Sequence, residues 1–199
     1  MILRPALAAV IFIALISSSV AQESDLAEAY KDDEAYQIYG LLLPHEDSYG
    51  YAKGTVILQQ ETLPHIQGTS AWPIGPEACV TPDAASRFKD AITDYNRRNR
   101  KQWLLQRNFQ LEKPHEIVSS DTLEALYDKS GWDGFYERYP ASGGYLVMSA
   151  IGFNSEKTRA IVYTGSVCGG LCGRWGFHLL EKVDGKWREV PGVTCHEVS

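Results

Sequence analysis

After residue 21 the sequence has no second long apolar run, so we predict no membrane span in that part of the chain. Basic residues are in deficit, with 19 Lys and Arg against 25 Asp and Glu, and the formal net charge is −6. Because an acidic surface repels phosphate backbones, we expect no nucleic-acid partner. Internal repeats, low-complexity segments and the nucleophile-elbow pattern of many hydrolases are also missing from the sequence. These absences exclude several classes and leave a folded domain without a diagnostic catalytic motif.

The start of the chain has the three-part order of a secretory signal peptide. A short cationic segment precedes an apolar run, and Ser19 and Ala21 are the small residues that a signal peptidase requires. We predict a signal peptide at residues 1–21 with cleavage before Gln22; an uncleaved anchor is the alternative. The remaining residues 22–199 are expected to form a single α+β domain. The predicted location is periplasmic or secreted, with no stable membrane insertion after cleavage.

Only four cysteines are present, and an even number in an exported chain indicates two disulfides. We predict a local Cys168–Cys172 bridge, because three residues separate the two thiols and two of the three are glycines. A Cys79–Cys195 bridge then follows by elimination. Such a long-range bridge would close a loop of over a hundred residues and contribute on the order of 4 kcal/mol in the chain-entropy interpretation.

Two other interpretations of the Cys168/Cys172 pair stay open. A redox-active dithiol is one, although the spacing is one residue longer than in thioredoxin-type motifs. Zinc ligation is the other, and its remaining ligands would come from Cys195, His196 or His178. Because the paired short spacing of zinc ribbons is missing, we expect no metal and no other cofactor.

Helical patterns dominate the first two thirds of the chain. One helix is expected from Ser24, through Ala29, to Pro44, and a strand is expected over residues 54–60. The clearest helix begins after Thr81, with apolar residues repeating at helical spacing. Another helix begins near Asp121 and is predicted to break at Gly131.

From residue 143 the pattern becomes strand-like. Four runs suit strands: Tyr145–Phe153, Thr158–Val167, Trp175–Val183 and Lys186–Val190. Asp184 and Gly185 form a strong hairpin signal between the last two, since both suit positive φ angles. We therefore predict an α+β fold in which N-terminal helices pack on a C-terminal antiparallel β-meander.

The last third of the chain carries a more specific pattern. Its blocks are Trp132–Pro140, Ile151–Asn154, Ala160–Tyr163, Cys168–Gly173 and Leu179–Trp187. The glycine-flanked cysteine pair, followed by Leu-Leu-Glu-Lys-x-Asp-Gly-Lys-Trp, resembles an uncharacterised family of exported bacterial proteins. In that family an arginine and a valine precede Gly-Phe-Asn, where this chain has Ala150 and Ile151, so no role of that arginine is carried over. The resemblance implies export and a C-terminal sheet, and it implies no activity.

Candidate catalytic groups centre on His178. The strand alternation places it on a face towards solvent or a cleft, where it would act as the base for Ser142 or Ser166. Gly143 and Gly144 would supply backbone N–H donors for an oxyanion. The sequence does not bring these groups together, so a small periplasmic hydrolase stays an alternative hypothesis.

Candidate binding residues form two groups. Arg97, Arg98, Arg100 and Lys101 make up the one basic cluster, which would grip an anionic ligand or else form the solvated end of a helix. Four aromatic residues crowd into eight positions and would form either core packing or an exposed platform for glycans or peptides: Trp132, Phe135, Tyr136 and Tyr139. We therefore predict a non-catalytic binding or accessory protein whose partner is a protein, a peptide or a glycan. A thiol–disulfide protein that uses Cys168 and Cys172 is the other alternative.

Overall fold

The structure is a computed structural model, and it describes residues 27–43, 54–64, 75–170 and 172–192, together with the backbone of 196–198. The predicted signal peptide lies outside these ranges. The helices in the described ranges are α1 Asp33–Leu42, α2 Pro76–Cys79, α3 Pro82–Arg87, α4 Lys89–Arg98 and α5 Ser120–Arg138. The strands are β1 Glu28–Ala29, β2 Val56–Gln59, β3 Trp103–Leu104, β4 His115–Val118, β5 Tyr145–Met148, β6 Gly152–Phe153, β7 Arg159–Gly169, β8 Cys172–Val183, β9 Lys186–Glu189 and β10 His196–Val198.

A mixed sheet organises the fold. Its strand order is β10-β8-β7-β5-β2-β4, with β6 paired to β7 and β9 paired to β8. Neighbours within the C-terminal part are antiparallel, whereas β2 runs parallel to both β4 and β5. The short strands β1 and β3 form a separate parallel pair. The earlier part of the chain therefore contributes strands to the sheet as well as helices.

Helices cover both faces of this sheet. Side chains of Ala160 and Val162 on β7 pack into one apolar cluster with α1. Ile161 and Tyr163 alternate with them and pack with α3 and α4 into a second cluster. Because successive strand residues point to opposite faces, α1 lies on one face and α4 on the other. A third cluster packs α5 against the same sheet face as α4, at the end of the sheet that contains Ile57.

The α+β class is confirmed, and several boundaries differ from the prediction. Ala29 lies in β1 rather than in the first helix, because Tyr30 donates its backbone N–H to Leu104 and holds this segment in extended form. The predicted strand Tyr145–Phe153 is divided into β5 and β6. Between them, Ala150 does not pair with a neighbouring strand. The Asn99 side chain donates to the Ala150 carbonyl and accepts from the Ala150 N–H instead.

The described residues contain neither a membrane-spanning helix nor a cluster of metal ligands. None of the helices in these ranges has both the length and the apolar character needed to cross a bilayer. Within the same ranges, no group of three His, Cys, Asp or Glu residues is arranged to hold a metal ion.

Candidate functional site: an aromatic cleft beside α5

A cleft of about 440 Å³ lies between the first half of α5 and the end of the sheet. We call it the aromatic cleft. Its apolar walls are formed by Leu123, Tyr127, Trp132, Phe135, Tyr145 and Val167. Polar groups come from Gln59, Ser120 and Glu124, and the backbone of Gly169 and Gly170 completes the rim. This volume falls in the range of sites that bind small ligands or a few side chains.

The beginning of α5 is held in place by side chains that cap its free N–H groups. Ser119 accepts a hydrogen bond from the backbone N–H of Thr122, as an N-cap residue does. Ser120 donates its backbone N–H to the Glu61 carboxylate at 2.7 Å. The observed cap, Ser119, therefore lies two residues before the predicted cap at Asp121. These bonds fix the polar end of the aromatic cleft.

A kink at Gly131 gives the aromatic cleft its shape. Gly131 has φ 60° and ψ −150°, a region that is essentially restricted to glycine, and the two halves of α5 meet there. The predicted helix break at this residue is confirmed. Beyond the kink, Phe135 is buried against the sheet, whereas the first half of α5 buries only Leu123. The first half therefore stands partly away from the strands.

Aromatic rings line the wall that the kink creates. The Trp132 ring is stacked on Tyr145 of β5, with centroids 6.0 Å apart and planes 15° apart. Tyr127 meets Trp132 at 78° with centroids 6.3 Å apart, and 55% of Tyr127 remains exposed. Of the four aromatic residues predicted as core packing or as an exposed platform, two are buried and two are half-buried, and Tyr127 was not among them. Phe135 and Tyr139 are buried, while Tyr127 and the half-buried Trp132 face the opening.

The disulfide hairpin between β7 and β8 forms the opposite rim. Cys168 and Cys172 are bonded to each other, as predicted. The Tyr136 hydroxyl donates a hydrogen bond of 2.8 Å to the Cys168 carbonyl, which ties the second half of α5 to this hairpin. Gly169 and Gly170 between the cysteines face the aromatic cleft. The disulfide therefore forms part of the rim of the aromatic cleft, and its two cysteines are not free thiols.

Charge in the aromatic cleft is negative. Glu124 is exposed at its edge, and none of the described lining residues is cationic. Burial raises the pKa of Tyr145, and the neighbouring Tyr127 adds to the shift, so the Tyr145 phenol stays protonated at neutral pH. The carboxylate of Glu124 is therefore the charged group that a ligand would meet first.

The basic cluster predicted as a binding site is largely neutralised by acids of its own chain. Arg98 is paired with Asp94 at 2.6 Å and with Asp32 at 3.3 Å. Arg97 pairs with Asp94 too, and Lys101 pairs with Glu28 while lying over the Trp103 ring. The fourth member of the cluster, Arg100, is exposed. Arg98 lines a second, open cleft of about 500 Å³, where Asp32 pairs with both Arg98 and Lys157.

His178 lies inside the sheet layer rather than on an open face. Its Nε2 atom is 2.8 Å from the Thr164 hydroxyl, its Nδ1 atom is 2.6 Å from the Glu189 carboxylate, and only 9% of the residue is exposed. The predicted exposure was wrong because helices cover both faces, so strand alternation does not separate buried from solvated positions. These three side chains line neither of the two clefts described above.

The predicted serine partners of His178 are not bonded to it. The sheet register places Tyr145 opposite Val167 and His178 opposite Val162. Val162 and Val167 are five residues apart on β7, a distance of roughly 16 Å. Ser142 precedes Tyr145 and bonds the Tyr139 carbonyl, so it lies beyond hydrogen-bond reach of His178. Ser166 is buried, and its hydroxyl has no hydrogen-bond partner among the described residues.

The second predicted disulfide stays a prediction, because Cys195 lies outside the described residues. No free cysteine occurs within those residues. Cys79 packs on the same apolar cluster as Trp175, and the backbone of His196 pairs with Gly176 beside it. This placement is consistent with a Cys79–Cys195 bridge. The zinc alternative loses two ligands, since Cys168 and Cys172 are bonded to each other.

Sequence reasoning missed the polar part of the aromatic cleft. Gln59 and Ser120 come from segments far apart in the chain, and Glu61, which holds Ser120, was not singled out at all. The available signal was the Ser-Ser-Asp-Thr start of α5, which marks a helix N-terminus. Comparison of the chain with protein-family models, with curated proteins and with solved structures gave no match.

Proposed function

We propose that the protein is an exported, disulfide-stabilised binding protein that takes a peptide or glycan ligand in the aromatic cleft and acts without catalysis. The observation that carries the proposal is the half-open wall of rings at Tyr127, Trp132 and Tyr145. Exposed aromatic side chains that are already fixed by packing lose little entropy on binding, and they dominate such contacts. A fully packed core would have covered Tyr127.

Export to the periplasm or the medium is supported by two separate observations. Residues 1–21 have the order of a signal peptide. The Cys168–Cys172 bridge suits an oxidising compartment, where disulfides persist. Mass spectrometry of the protein from its producing cell should give a chain that begins at Gln22 with all four cysteines oxidised. An intact leader with reduced thiols would contradict export.

In this proposal the C-terminal antiparallel strands serve as the scaffold on which helices from the earlier chain pack. The contact between Tyr95 of α4 and Phe177 of β8, with centroids 5.5 Å apart, supports that arrangement. The Tyr136 bond to the Cys168 carbonyl supports it at the other end. A rigid scaffold of this kind keeps the rings in position before a ligand arrives.

The test is a selection for ligands followed by one matched pair of variants. Wild-type protein is screened against a random heptapeptide display library and a glycan array. Tyr127→Ala is expected to weaken the selected ligands about tenfold, because an exposed aromatic anchor contributes more than 1 kcal/mol. Asp128→Ala, at the next exposed position of α5, should leave binding unchanged. Finding no ligand, or ligands that are indifferent to Tyr127→Ala, would contradict the proposal.

A second candidate function, a hydrolase, is favoured by one observation. Thr164, His178 and Glu189 form a hydroxyl–imidazole–carboxylate chain of the kind that activates nucleophiles. A panel of chromogenic esters and peptide substrates tests this candidate. Turnover that His178→Ala abolishes, while the variant keeps the wild-type melting temperature, would replace the binding proposal.

A further inference from the structure

We infer that the aromatic cleft recognises a basic side chain, lysine or arginine, of a peptide ligand. This inference depends on the proposed binding function and adds the chemical class of the ligand. Four aromatic rings and one carboxylate are among the groups that line the aromatic cleft, and both kinds of group attract cations.

The rings supply the first attractive surface. Tyr127 leaves more than half of its surface in solvent and stands nearly perpendicular to Trp132. Trp132 is in turn backed by Tyr145, so its position is fixed before binding. A cation within about 6 Å of such a ring is stabilised by about 0.5–1 kcal/mol at an exposed site and by more where water is excluded.

Carboxylates supply the second attractive surface. Glu124 precedes Tyr127 by three residues, so both side chains project from the same side of α5. The whole helix carries five acidic residues against two basic ones, and one of the basic residues, Arg138, lies 3.9 Å from Glu116. At the other end of the aromatic cleft, Glu61 is held against Ser120. The local potential therefore favours a positively charged group.

The apolar walls select a cation with a hydrocarbon stem. Leu123 and Val167 line the aromatic cleft together with the rings. Lysine and arginine pack their methylene groups on apolar surface while the charged head stays in a polar environment. A sugar would need a denser set of hydrogen-bonding side chains than Gln59, Ser120 and Glu124 offer. A basic residue in a peptide satisfies the rings, the walls and the carboxylate together.

The experiment compares three peptides that differ in one side chain: acetyl-Gly-Leu-Lys-Leu-Gly-amide and its norleucine and glutamate analogues. Binding to the full-length protein is followed by titration calorimetry at low and high salt. The lysine peptide is expected to bind about tenfold more tightly than the norleucine peptide at low salt. The advantage should shrink at high salt, because part of it is electrostatic.

Two variants of α5 locate the effect. Glu124→Gln should remove most of the preference for lysine, about a fivefold loss, because it removes the carboxylate at the cleft. Asp128→Asn makes the same change of charge on the same helix outside the cleft lining, and it should change binding less than twofold. Both positions are exposed, so neither variant should impair folding.

The possible failures separate this inference from the proposed function. Equal binding of the lysine and norleucine peptides, or equal losses in Glu124→Gln and Asp128→Asn, would overturn the inference. So would a selected glycan or acidic peptide whose binding depends on Tyr127. In each of these cases Tyr127→Ala would still weaken binding about tenfold if the proposed function is right. Loss of any dependence on Tyr127 would overturn both.

Discussion

Helices α4 and α5 lie on the same face of the sheet, but they pack on it in opposite ways. The short helix α4 buries Ala91, Ile92 and Tyr95, and its backbone comes so close to Gly152 that a Cβ there would be 2.3 Å from the Ala91 carbonyl oxygen. The 19-residue helix α5 buries only Leu123 and Phe135 along its length. Close backbone packing leaves no room for a ligand between α4 and β6, whereas the kinked α5 leaves a cleft against the sheet.

The two helices also differ in how their charged side chains are paired. The two arginines at the end of α4 are paired within the protein, since Asp94 binds both Arg97 and Arg98 and Asp32 also binds Arg98. On α5, the acidic Glu124 borders an opening that contains no described cation. A cluster of charge in a sequence therefore indicates a binding surface only where the fold brings no opposite charge to it.

The close contact between α4 and β6 provides the largest expected effect. Gly152→Ala would place a Cβ 2.4 Å from the Tyr95 backbone nitrogen, so α4 has to move away from the sheet. Overpacking of this kind should reduce the free energy of unfolding by about 3 kcal/mol, as measured by urea denaturation.

The control for that variant is Gly170→Ala on the rim of the aromatic cleft. A Cβ at Gly170 meets no atom within 4 Å, so the free energy of unfolding should change by less than about 0.5 kcal/mol. Similar losses in the two variants would show that the α4–β6 contact and the rim of the aromatic cleft tolerate added atoms alike. The contrast between the two helices would then fail.

Asp94 provides the next largest effect. Its carboxylate accepts hydrogen bonds from the Phe153 backbone N–H and from both arginines, so it joins α4 to β6. Asp94→Asn should lower the free energy of unfolding by about 2 kcal/mol at pH 7, because bonds to a charged acceptor are lost. Asp90→Asn, at an exposed position of the same helix, should change it by less than about 0.5 kcal/mol.

The effect of Asp94 should depend on pH in a defined direction. Burial alone raises the pKa of the Asp94 carboxyl, but the Phe153 N–H and the charges of Arg97 and Arg98 outweigh burial and hold the pKa below its usual value. The stabilisation is therefore complete above the unfolded pKa of about 3.9 and is lost as the pH falls through the folded pKa. The difference between wild type and Asp94→Asn should shrink in acid. A difference that grows on acidification would contradict this account.

The kink in α5 provides the smallest effect. Gly131→Ala forces a side chain into a glycine conformation, although the space around it is open. We expect the free energy of unfolding to fall by about 1 kcal/mol. This value is at the low end for such backbone strain, because the partly exposed helix can relax. Ligand affinity should fall in parallel, since the position of Trp132 depends on the kink. Lys129→Ala, at an exposed position nearby, should change neither quantity. An unchanged stability in Gly131→Ala would show that the kink is not strained.

Local patterns in the sequence were sufficient for several elements. The helix after Thr81 has a continuous apolar stripe, and the structure contains α3 and α4 there with a change of direction at Phe88. The tight turn at Asp184 and Gly185 is present between β8 and β9, with both residues at positive φ. These features depend on neighbours within a few residues, so their patterns can be read along the chain.

Elements that depend on distant partners were not predictable in this way. Strand β4 has only four residues of mixed polarity, and it is a strand because it pairs in parallel with β2, about sixty positions earlier. The burial of His178 depends on coverage of the second sheet face by elements from the first half of the chain. Parallel strand pairing and the covering of both sheet faces produce no clear short-range pattern in the sequence.

The sequence by itself determined the cysteine pair, the glycine break in α5, the aromatic content of that segment and the excess of acidic residues. Each of these follows from residue type and short spacing. Tertiary structure alone decided that Asp32 and Asp94 neutralise Arg98, and that Trp132 stacks on Tyr145 while Tyr127 stays open. Which charges are paired and which rings are covered depends on segments far apart in the chain, because pairing and burial are properties of distance in space.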